Sequence, residues 1–372
     1  MKKSFDIAIV GTGIVGLAIG YEAAKQGLNV IFFERHPQAI GATVRNFGLI
    51  WPIGQESASI YRAMRSRDTW LDLAKKANFW VSECGSLHLA YHPDEAAVLE
   101  EFAAGAKGYG YHASLLTPQE TIKKSAAVNP DGLLAALWSD TELNLDPRQA
   151  TLALHSYLQN LPNVTFRYNT AITGISGNRL TNGNETWQAE RIFVCSGQDF
   201  ETLYPAVFAQ APLTKCKLQM MRTEPQPEGF QLGPVLCGGL TLQHYDSFSH
   251  CRSLEVLKKR FEETMPGYNR FGIHVLLSQT SLGELTIGDS HEYGPNLSPF
   301  DNQSINQLIL DYLKTFSRLP QLTIAETWHG VYAKTTDGSV AFVTSADEDV
   351  TIVNGLGGAG MTLSFGLAQE LV

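Results

Sequence analysis

The chain has 372 residues, 44% of them hydrophobic and 17% charged, which is long enough to bury a large core and makes two domains the natural expectation. Twenty-eight Lys and Arg against 37 Asp and Glu give a net charge of −9, with no basic run and no interleaving of bases with aromatics, so nucleic acid is not expected as a partner. Five scattered cysteines without a Cys-x-x-Cys, and ten histidines without ligand spacing, point to a reducing compartment and to neither a disulfide framework nor a bound metal.

Met1-Lys2-Lys3 ahead of apolar residues could open a signal peptide, but Asp6 and the glycines interrupt the apolar stretch. The same residues are needed as a first strand, and no run reaches the length of a membrane span, so a cytoplasmic protein is expected. Phe5 to Val10 reads as that strand. Gly11, Gly13 and Gly16 follow, then a helix to about Gln26, then a second strand from Val30 to Phe33 that closes on Glu34. Each position has a physical reason. Gly11 permits the tight turn, Gly13 lets backbone approach a pyrophosphate, and Gly16 lets helix and strand pack closely. Ile14 and Val15 open a helix whose N-terminus carries free N–H groups and roughly half a positive charge. Glu34, followed by Arg35, can accept both hydroxyls of an adenosine ribose. Ile14, Leu17, Ala18, Tyr21 and Ala24 fall at helical spacing and are expected to bury against the sheet.

Further along, residues 56–77 carry a helical pattern in Ile60, Ala63, Met64, Trp70, Leu71 and Ala74. Asp146, Pro147 and Gln149 predict another helix start, with an N-cap, a proline at the first position and a capping-box partner. Its buried face would be Ala150, Ala153, Leu154, Tyr157, Leu158 and Leu161. A third helix is expected from about Ser304 to Phe316. Between roughly 210 and 295, short apolar stretches separated by Gly, Pro and Asn suggest an antiparallel sheet, and the chain turns back toward nucleotide-domain character near Thr323. The expected fold class is α/β: a Rossmann-like doubly wound sheet, with an α+β substrate domain built on an antiparallel sheet. The cofactor domain would take 1–80, 141–210 and 322–372, and the substrate domain 81–140 and 211–321.

Three segments decide which dinucleotide is bound. Gly41 to Gly48 form a small-residue loop rich in backbone donors, Arg191 to Cys195 form a strand running into Ser196-Gly197, and Asn354 to Thr362 form a glycine loop opening the final helix. The last has a chemical meaning of its own. A flavin that accepts a hydride gains negative charge at its N1 and C2 carbonyl, and a helix start with free N–H groups at Gly358 to Thr362 would stabilise that charge without reorganising.

Together with the amino-terminal fingerprint, these segments resemble the FAD-dependent D-amino acid oxidase, glycine oxidase and sarcosine oxidase superfamily over essentially the whole chain. The resemblance implies that Thr43, Arg45, Asn46, Phe47, Gly48 and Leu49 wrap the pyrophosphate and pass the flavin ring. It places the backbone of Ile172 at the adenine, Cys195-Ser196-Gly197 near the ribose, and Gly330, Gly355, Gly357, Gly358, Ala359, Gly360, Met361 and Thr362 at the flavin. The sequence departs from the pattern at the substrate anchors. Tyr332 stands where the amino acid oxidases carry an arginine that grips a carboxylate as a planar fork, and Thr362 stands where the sarcosine branch carries a lysine. Neither Ala333 nor Lys334 is the cysteine that bonds to the flavin in that branch, so FAD is expected to be dissociable.

With both anchors gone, Tyr332 and Lys334 are the candidate catalytic residues. Asn46, Trp51, Gln55, His244 and Thr362 are candidate substrate contacts, and Arg222 is more remote. The stretch from Arg45 to Gln55 is similar to a branch linked to breakdown of 2-aminoethylphosphonate and its N-methylated relatives; there Trp51 would wall the pocket and Gln55 would donate to the anion. The implied reaction is oxidation of a small primary or N-methyl amine, amino acid-like or aminophosphonate, by hydride transfer to flavin N5. Imine hydrolysis follows, and oxygen or another redox acceptor takes the electrons. Two alternatives stand beside it: a hydroxy-acid or polyol dehydrogenase that passes electrons to a quinone or carrier protein, with His329 or His244 as base, and a non-catalytic flavin-binding protein. The oligomeric state is not legible.

Overall fold

The computed structural model describes residues 4–372, so the reading of Met1-Lys2-Lys3 lies outside the described residues. Ser4–Val10 runs parallel to two neighbours, Val30–Phe33 and Thr186–Val194, and Val30–Phe33 pairs in turn with Val164–Arg167, also in parallel. Val350–Asn354 joins Thr186–Val194 in parallel, and antiparallel hairpin strands complete eight strands. Parallel strands covered on both faces read as continuous apolar runs. Accordingly, Val30 to Phe33 are all buried.

The first helix, Ile14–Lys25, buries the expected Ile14, Leu17, Ala18, Tyr21 and Ala24. Ile19 and Ala23 on its other side are buried too, because the helix lies between the sheet and the final helix, Gly360–Leu371. Tyr21 meets Phe365 of that helix edge-on, with ring centroids 5.8 Å apart. At Gly20 a Cβ would sit 1.9 Å from the Phe32 ring, so helix and sheet are in contact at backbone distance. Ile60–Ala77 forms the expected second helix, closed by Asn78 in the left-handed region.

Pro147–Gln159 starts at Asp146 as expected, but the capping box with Gln149 does not form. The Asp146 carboxylate accepts instead from the Arg148 backbone N–H at 2.9 Å and from its guanidinium at 2.7 Å. Arg148, through its backbone N–H and its guanidinium, takes the place at the carboxylate that the Gln149 N–H would hold in a capping box. On this helix Ala150, Leu154 and Leu158 are buried, while Ala153 and Tyr157, and Leu161 just past its end, are only partly covered.

The substrate side is a nine-stranded sheet whose longest pair is Leu213–Thr223 against Ile324–Thr335. It is not purely antiparallel, since Val235–Cys237 pairs in parallel with Ser86–Ala90. The return expected near Thr323 falls later as well. Ile324–Thr335 is hydrogen-bonded along Leu213–Thr223, and the first strand back in the eight-stranded sheet is Phe342–Asp347. Ile324–Thr335 mixes exposed, half-buried and buried residues, and such a pattern does not say which sheet it joins. Gln303–Phe316 packs Ile305, Ile309, Leu313 and Phe316 into the core beneath this sheet. Among the described residues no helix is long and apolar enough to cross a membrane.

Candidate active site

The amino-terminal turn is built by close approach. Gly11 has φ +103°, and a Cβ there would lie 2.3 Å from the carbonyl oxygen of Cys195, because the parallel strands Ser4–Val10 and Thr186–Val194 end side by side. At Gly16 a Cβ would lie 2.1 Å from the Gly11 carbonyl oxygen. A Cβ on Gly13 would meet only the Thr43 hydroxyl, at 3.1 Å, so the first helical turn presents bare backbone on that side. No side chain of the N-cap covers it; Ile14 N–H donates to Thr43 Oγ1 at 2.8 Å, and Val15 follows in the same turn. Glu34, 9% exposed, is held at the strand end. Its carboxylate accepts from Thr12 Oγ1 at 2.9 Å, Thr12 N–H at 3.2 Å and His36 N–H at 3.0 Å.

The neighbouring segments are tied into the same edge. Cys195 N–H donates to the Val10 carbonyl at 2.8 Å, Ser196 Oγ donates to the Asp199 carbonyl at 2.7 Å, and the Gly197 carbonyl accepts from Asn354 Nδ2 at 2.9 Å. Arg35 pairs with Asp199 on the surface. Ile172 is 3% exposed, with its side chain in the apolar layer around Phe5 and Phe33.

The loop after the second strand is pinned by its own polar groups. Asn46 Nδ2 donates to the carbonyls of Ala42 and Thr43 at 3.1 and 2.8 Å, and its Oδ1 accepts from Gly48 N–H at 2.7 Å. Asn46 therefore shapes the loop, and both ends of its amide are occupied. Arg45 donates to the carbonyls of Ile40 and His329, while the indole N–H of Trp328 donates to the Arg45 carbonyl at 3.0 Å. A Cβ on Gly330 would lie 3.5 Å from that of Arg45, so the loop rests on the Ile324–Thr335 strand. Phe47 and Leu49 turn into the substrate-side core.

The carboxy-terminal loop supplies a second bare helix start. Gly355 and Gly357 have φ of +70° and +56°, and the helix Gly360–Leu371 begins after Ala359 without a side-chain cap. A Cβ on Gly360 would lie 3.6 Å from Ile14, which sets the two helix starts beside each other. The Met361 carbonyl accepts from the Trp70 indole at 2.8 Å, and Thr362 Oγ1 accepts from Trp51 N–H at 2.9 Å. Two adjoining helix N-termini whose own N-cap residues offer no side-chain cap, with a fixed carboxylate at the end of the second strand, fit FAD. Gly13, Ile14, Val15 and Thr43 would meet its phosphates, Glu34 its ribose, and Gly357 to Thr362 its ring.

Tyr332 and Lys334 border that loop. The Tyr332 hydroxyl lies 3.5 Å from where a Gly358 Cβ would stand, and the Lys334 stem passes 3.5 Å from the same point on Gly357. Burial pushes the Tyr332 phenol well above its ordinary range. Lys334 Nζ sits 3.5 Å from the Tyr293 hydroxyl and 5.4 Å from its ring centre, and among the described residues it has no acidic partner.

His244, expected as a substrate contact, stands with two histidines that the spacing did not single out. Its ring stacks on His274 at 3.7 Å and lies 4.6 Å from His291, and ring nitrogens of the three come within 4.8 Å of one another. His274 Nε2 is 3.1 Å from Asp289 Oδ1, and His291 Nδ1 is 3.0 Å from the Gly272 carbonyl oxygen. His274 Nδ1 is buried with no partner. Burial, followed by neighbouring charge including that of Lys334, holds His244 and His274 well below the ordinary imidazole range and His291 at about 4. The cluster lies near the loop from Gly41 to Gly48: a Cβ on Gly288, beside Asp289, would lie 3.4 Å from the Phe47 ring. His274 and His291 flank different strands, so nothing in their spacing announces them.

The remaining candidates are otherwise engaged. Trp51 is buried against His88 and Tyr245, and Gln55 Nε2 donates to the Trp51 carbonyl at 3.1 Å, closing its own turn. Arg222 is paired with Glu326 at 2.5 Å and lies over the Trp328 ring, so it is no free anchor. His329 Nδ1 pairs with Asp301 at 2.8 Å at the surface.

Comparison with known proteins agrees with this geometry. The chain is 22% identical over 350 residues to the B component of the opine oxidase of Rhizobium meliloti, covering 90% of this chain and 83% of that one. It is 30% identical over 130 residues to the A component of the anaerobic glycerol-3-phosphate dehydrogenase of Escherichia coli K12, covering 35% of this chain and 24% of that one. The fold matches L-proline dehydrogenase from P. horikoshii with a TM-score of 0.80 at 21% identity, over 99% of this chain and 92% of that one. The DAO family, described as FAD dependent oxidoreductase, matches residues 6–372, and the chain belongs to that family of FAD-dependent enzymes.

Proposed function

We propose that this FAD-dependent oxidoreductase oxidises a small primary or N-methyl amine that carries an anionic group, either amino acid-like or an aminophosphonate, and that oxygen takes up the electrons. The observation that carries the reading is the pair Tyr332 and Lys334 beside the second glycine loop, one a half-buried phenol and the other a cation with no acidic partner among the described residues. FAD, when bound, supplies the two-electron acceptor, held without a covalent link. The chain supplies positioning. Tyr332 orients the reacting end, Lys334 draws in the anion, and the buried wall around Trp51 and Tyr245 excludes water. The amine must be neutral to react, and a dry pocket disfavours its ammonium form. Among the described residues no His–carboxylate pair stands free beside the loop: His274–Asp289 is buried, and His329–Asp301 is at the surface. That suits an amine, which needs no obligatory base, better than an alcohol.

A second reading keeps the cofactor but takes a hydroxy acid or polyol, with electrons passing to a quinone or carrier. The similarity to a glycerol-3-phosphate dehydrogenase favours it, although it spans only 35% of this chain. Anaerobic mixing of the yellow protein with substrates separates the two. Bleaching by primary or N-methyl amines supports the first, and bleaching only by glycerol 3-phosphate or hydroxy acids replaces it with the second.

A further inference from the structure

We infer that His244, His274, His291 and Asp289 form a binding site for one divalent metal ion of the zinc type, independent of which substrate the flavin oxidises. Three ring nitrogens, one from each histidine, lie within 4.8 Å of one another. The donors of a four-coordinate zinc site stand roughly 3.3 Å apart, given arms of about 2.0 Å. His244, at the end of the helix Thr241–His244, is the least buried of the three, and a turn of its ring away from His274 closes the difference. The other residues point to a ligand independently. His274 Nε2 lies 3.1 Å from Asp289 Oδ1, yet that buried oxygen makes no hydrogen bond, so the contact has the length of a hydrogen bond without its direction. Two donors of one metal stand in that relation, roughly 3 Å apart with their lone pairs aimed at a shared ion. His274 Nδ1 is likewise buried without a partner, so neither nitrogen of that ring is committed to a hydrogen bond. Both residues are deep, at 3% exposed for His274 and 6% for Asp289, where unpaired polar atoms are costly. At His291 the Gly272 carbonyl, 3.0 Å from Nδ1, can only accept, so Nδ1 carries the proton and Nε2 the lone pair. Metal-ligating imidazoles are held in this way, by donating the N–H they do not use.

The donor chemistry sets the class of ion. Imidazoles with one carboxyl suit zinc and its first-row neighbours, whereas magnesium and calcium take oxygen ligands and would find a single acidic side chain. Burial keeps the imidazoles in the neutral form that a metal takes. It also favours the neutral form of Asp289, whose proton would pass to solvent as the ion enters, leaving a carboxylate against the dication. Lys334 is the cation whose charge reaches these rings, but it stands exposed beside Tyr293, where water screens it. The ligands come from separate pieces of chain. His244 ends the short helix, His274 precedes the strand Leu276–Gln279, and Asp289 and His291 follow the strand Leu285–Gly288. Four protein ligands leave no open coordination position, so the ion is a staple between the helix and the ends of two antiparallel strands.

Equilibrium dialysis of the FAD-loaded protein against zinc chloride, with magnesium chloride as the oxygen-seeking control, tests the assignment without turnover. One zinc per chain is expected to be retained and no magnesium, and the thermal midpoint should rise with zinc. His274→Gln, His291→Gln and Asp289→Asn should each weaken zinc binding roughly tenfold or more and remove that rise. His250→Gln, at an exposed ring beside Tyr109, should change neither. Flavin absorbance reports whether each variant has folded, and His244→Gln, at a partly exposed position, serves where a buried change prevents folding. X-ray absorption at the zinc edge of the wild-type protein needs no variant, and should show imidazole nitrogens and a carboxylate oxygen at about 2.0–2.1 Å. Zinc held no better than magnesium, zinc retained equally by every site variant, or an ion surrounded by thiolates or by water alone overturns the inference.

Discussion

Changing His88 to Leu should make the protein less sensitive to acid, by about 2 kcal/mol between pH 7.5 and 5.0. His88 lies on the strand Ser86–Ala90, 1% exposed, with Trp51 and Phe248 against its ring and no partner at either nitrogen. Burial alone lowers its pKa from 6.5 to about 3. Below pH 6.5 the unfolded chain takes up a proton that the folded one refuses, so stability falls with falling pH by about 1.4 kcal/mol per unit until the folded pKa is reached. Above pH 6.5 the contribution is flat. From pH 7.5 to 5.0 the unfavourable window spans about 1.5 units, which amounts to roughly 2 kcal/mol from this residue. Leu is apolar and of similar volume, and it removes the effect. The other buried histidines carry the same sign but remain in both proteins, so they cancel in the difference. Urea unfolding of the FAD-loaded proteins at the two pH values, followed by tryptophan fluorescence, gives the comparison. Wild type should lose about 2 kcal/mol more than H88L. Equal losses would mean that His88 is solvated or paired, and that water reaches the core around Trp51.

Other outcomes follow from the site. Gly16→Ala places a Cβ 2.1 Å from the Gly11 carbonyl oxygen, so the helix must move off the strand; purified protein should lose most of its yellow colour, and full flavin content would count against the turn as the phosphate site. Glu34→Gln keeps the shape but removes the charge from a hydrogen bond worth about 1.5–3 kcal/mol, so FAD should bind roughly 10–100-fold more weakly in fluorescence titrations. Unchanged affinity would place the ribose elsewhere. Tyr332→Phe should reduce turnover of the true substrate, with flavin content unchanged on denaturation and extraction; loss of FAD instead would show the phenol to be part of the cofactor cradle.

How much was legible depended on whether a feature lies along the chain or across it. The first strand, Gly11, Gly13 and Gly16, the apolar face from Ile14 to Ala24, and Glu34 are close in sequence, and their requirements are local: a turn, a close contact, a period of 3.6 residues. Backbone demands of this kind leave a mark in residue type, as do the glycines from Gly355 to Gly360. Asn46 and Gln55 show the limit of that reading. Both were expected to face the substrate, yet each folds its amide back on its own loop, a choice made by the nearest free carbonyl and not by residue type.

Sequence alone determined the nucleotide fold, the flavin family and the loss of the usual anion anchors, because glycine positions and a missing arginine are one-dimensional facts. Tertiary structure decided which histidines meet. His244, His274 and His291 are far apart in the chain and meet only because a short helix and two antiparallel strands converge beside Phe47. It also decided that Ile324–Thr335 pairs with the substrate sheet, since which edge a strand joins is set by partners whose hydrogen bonds carry no residue signature.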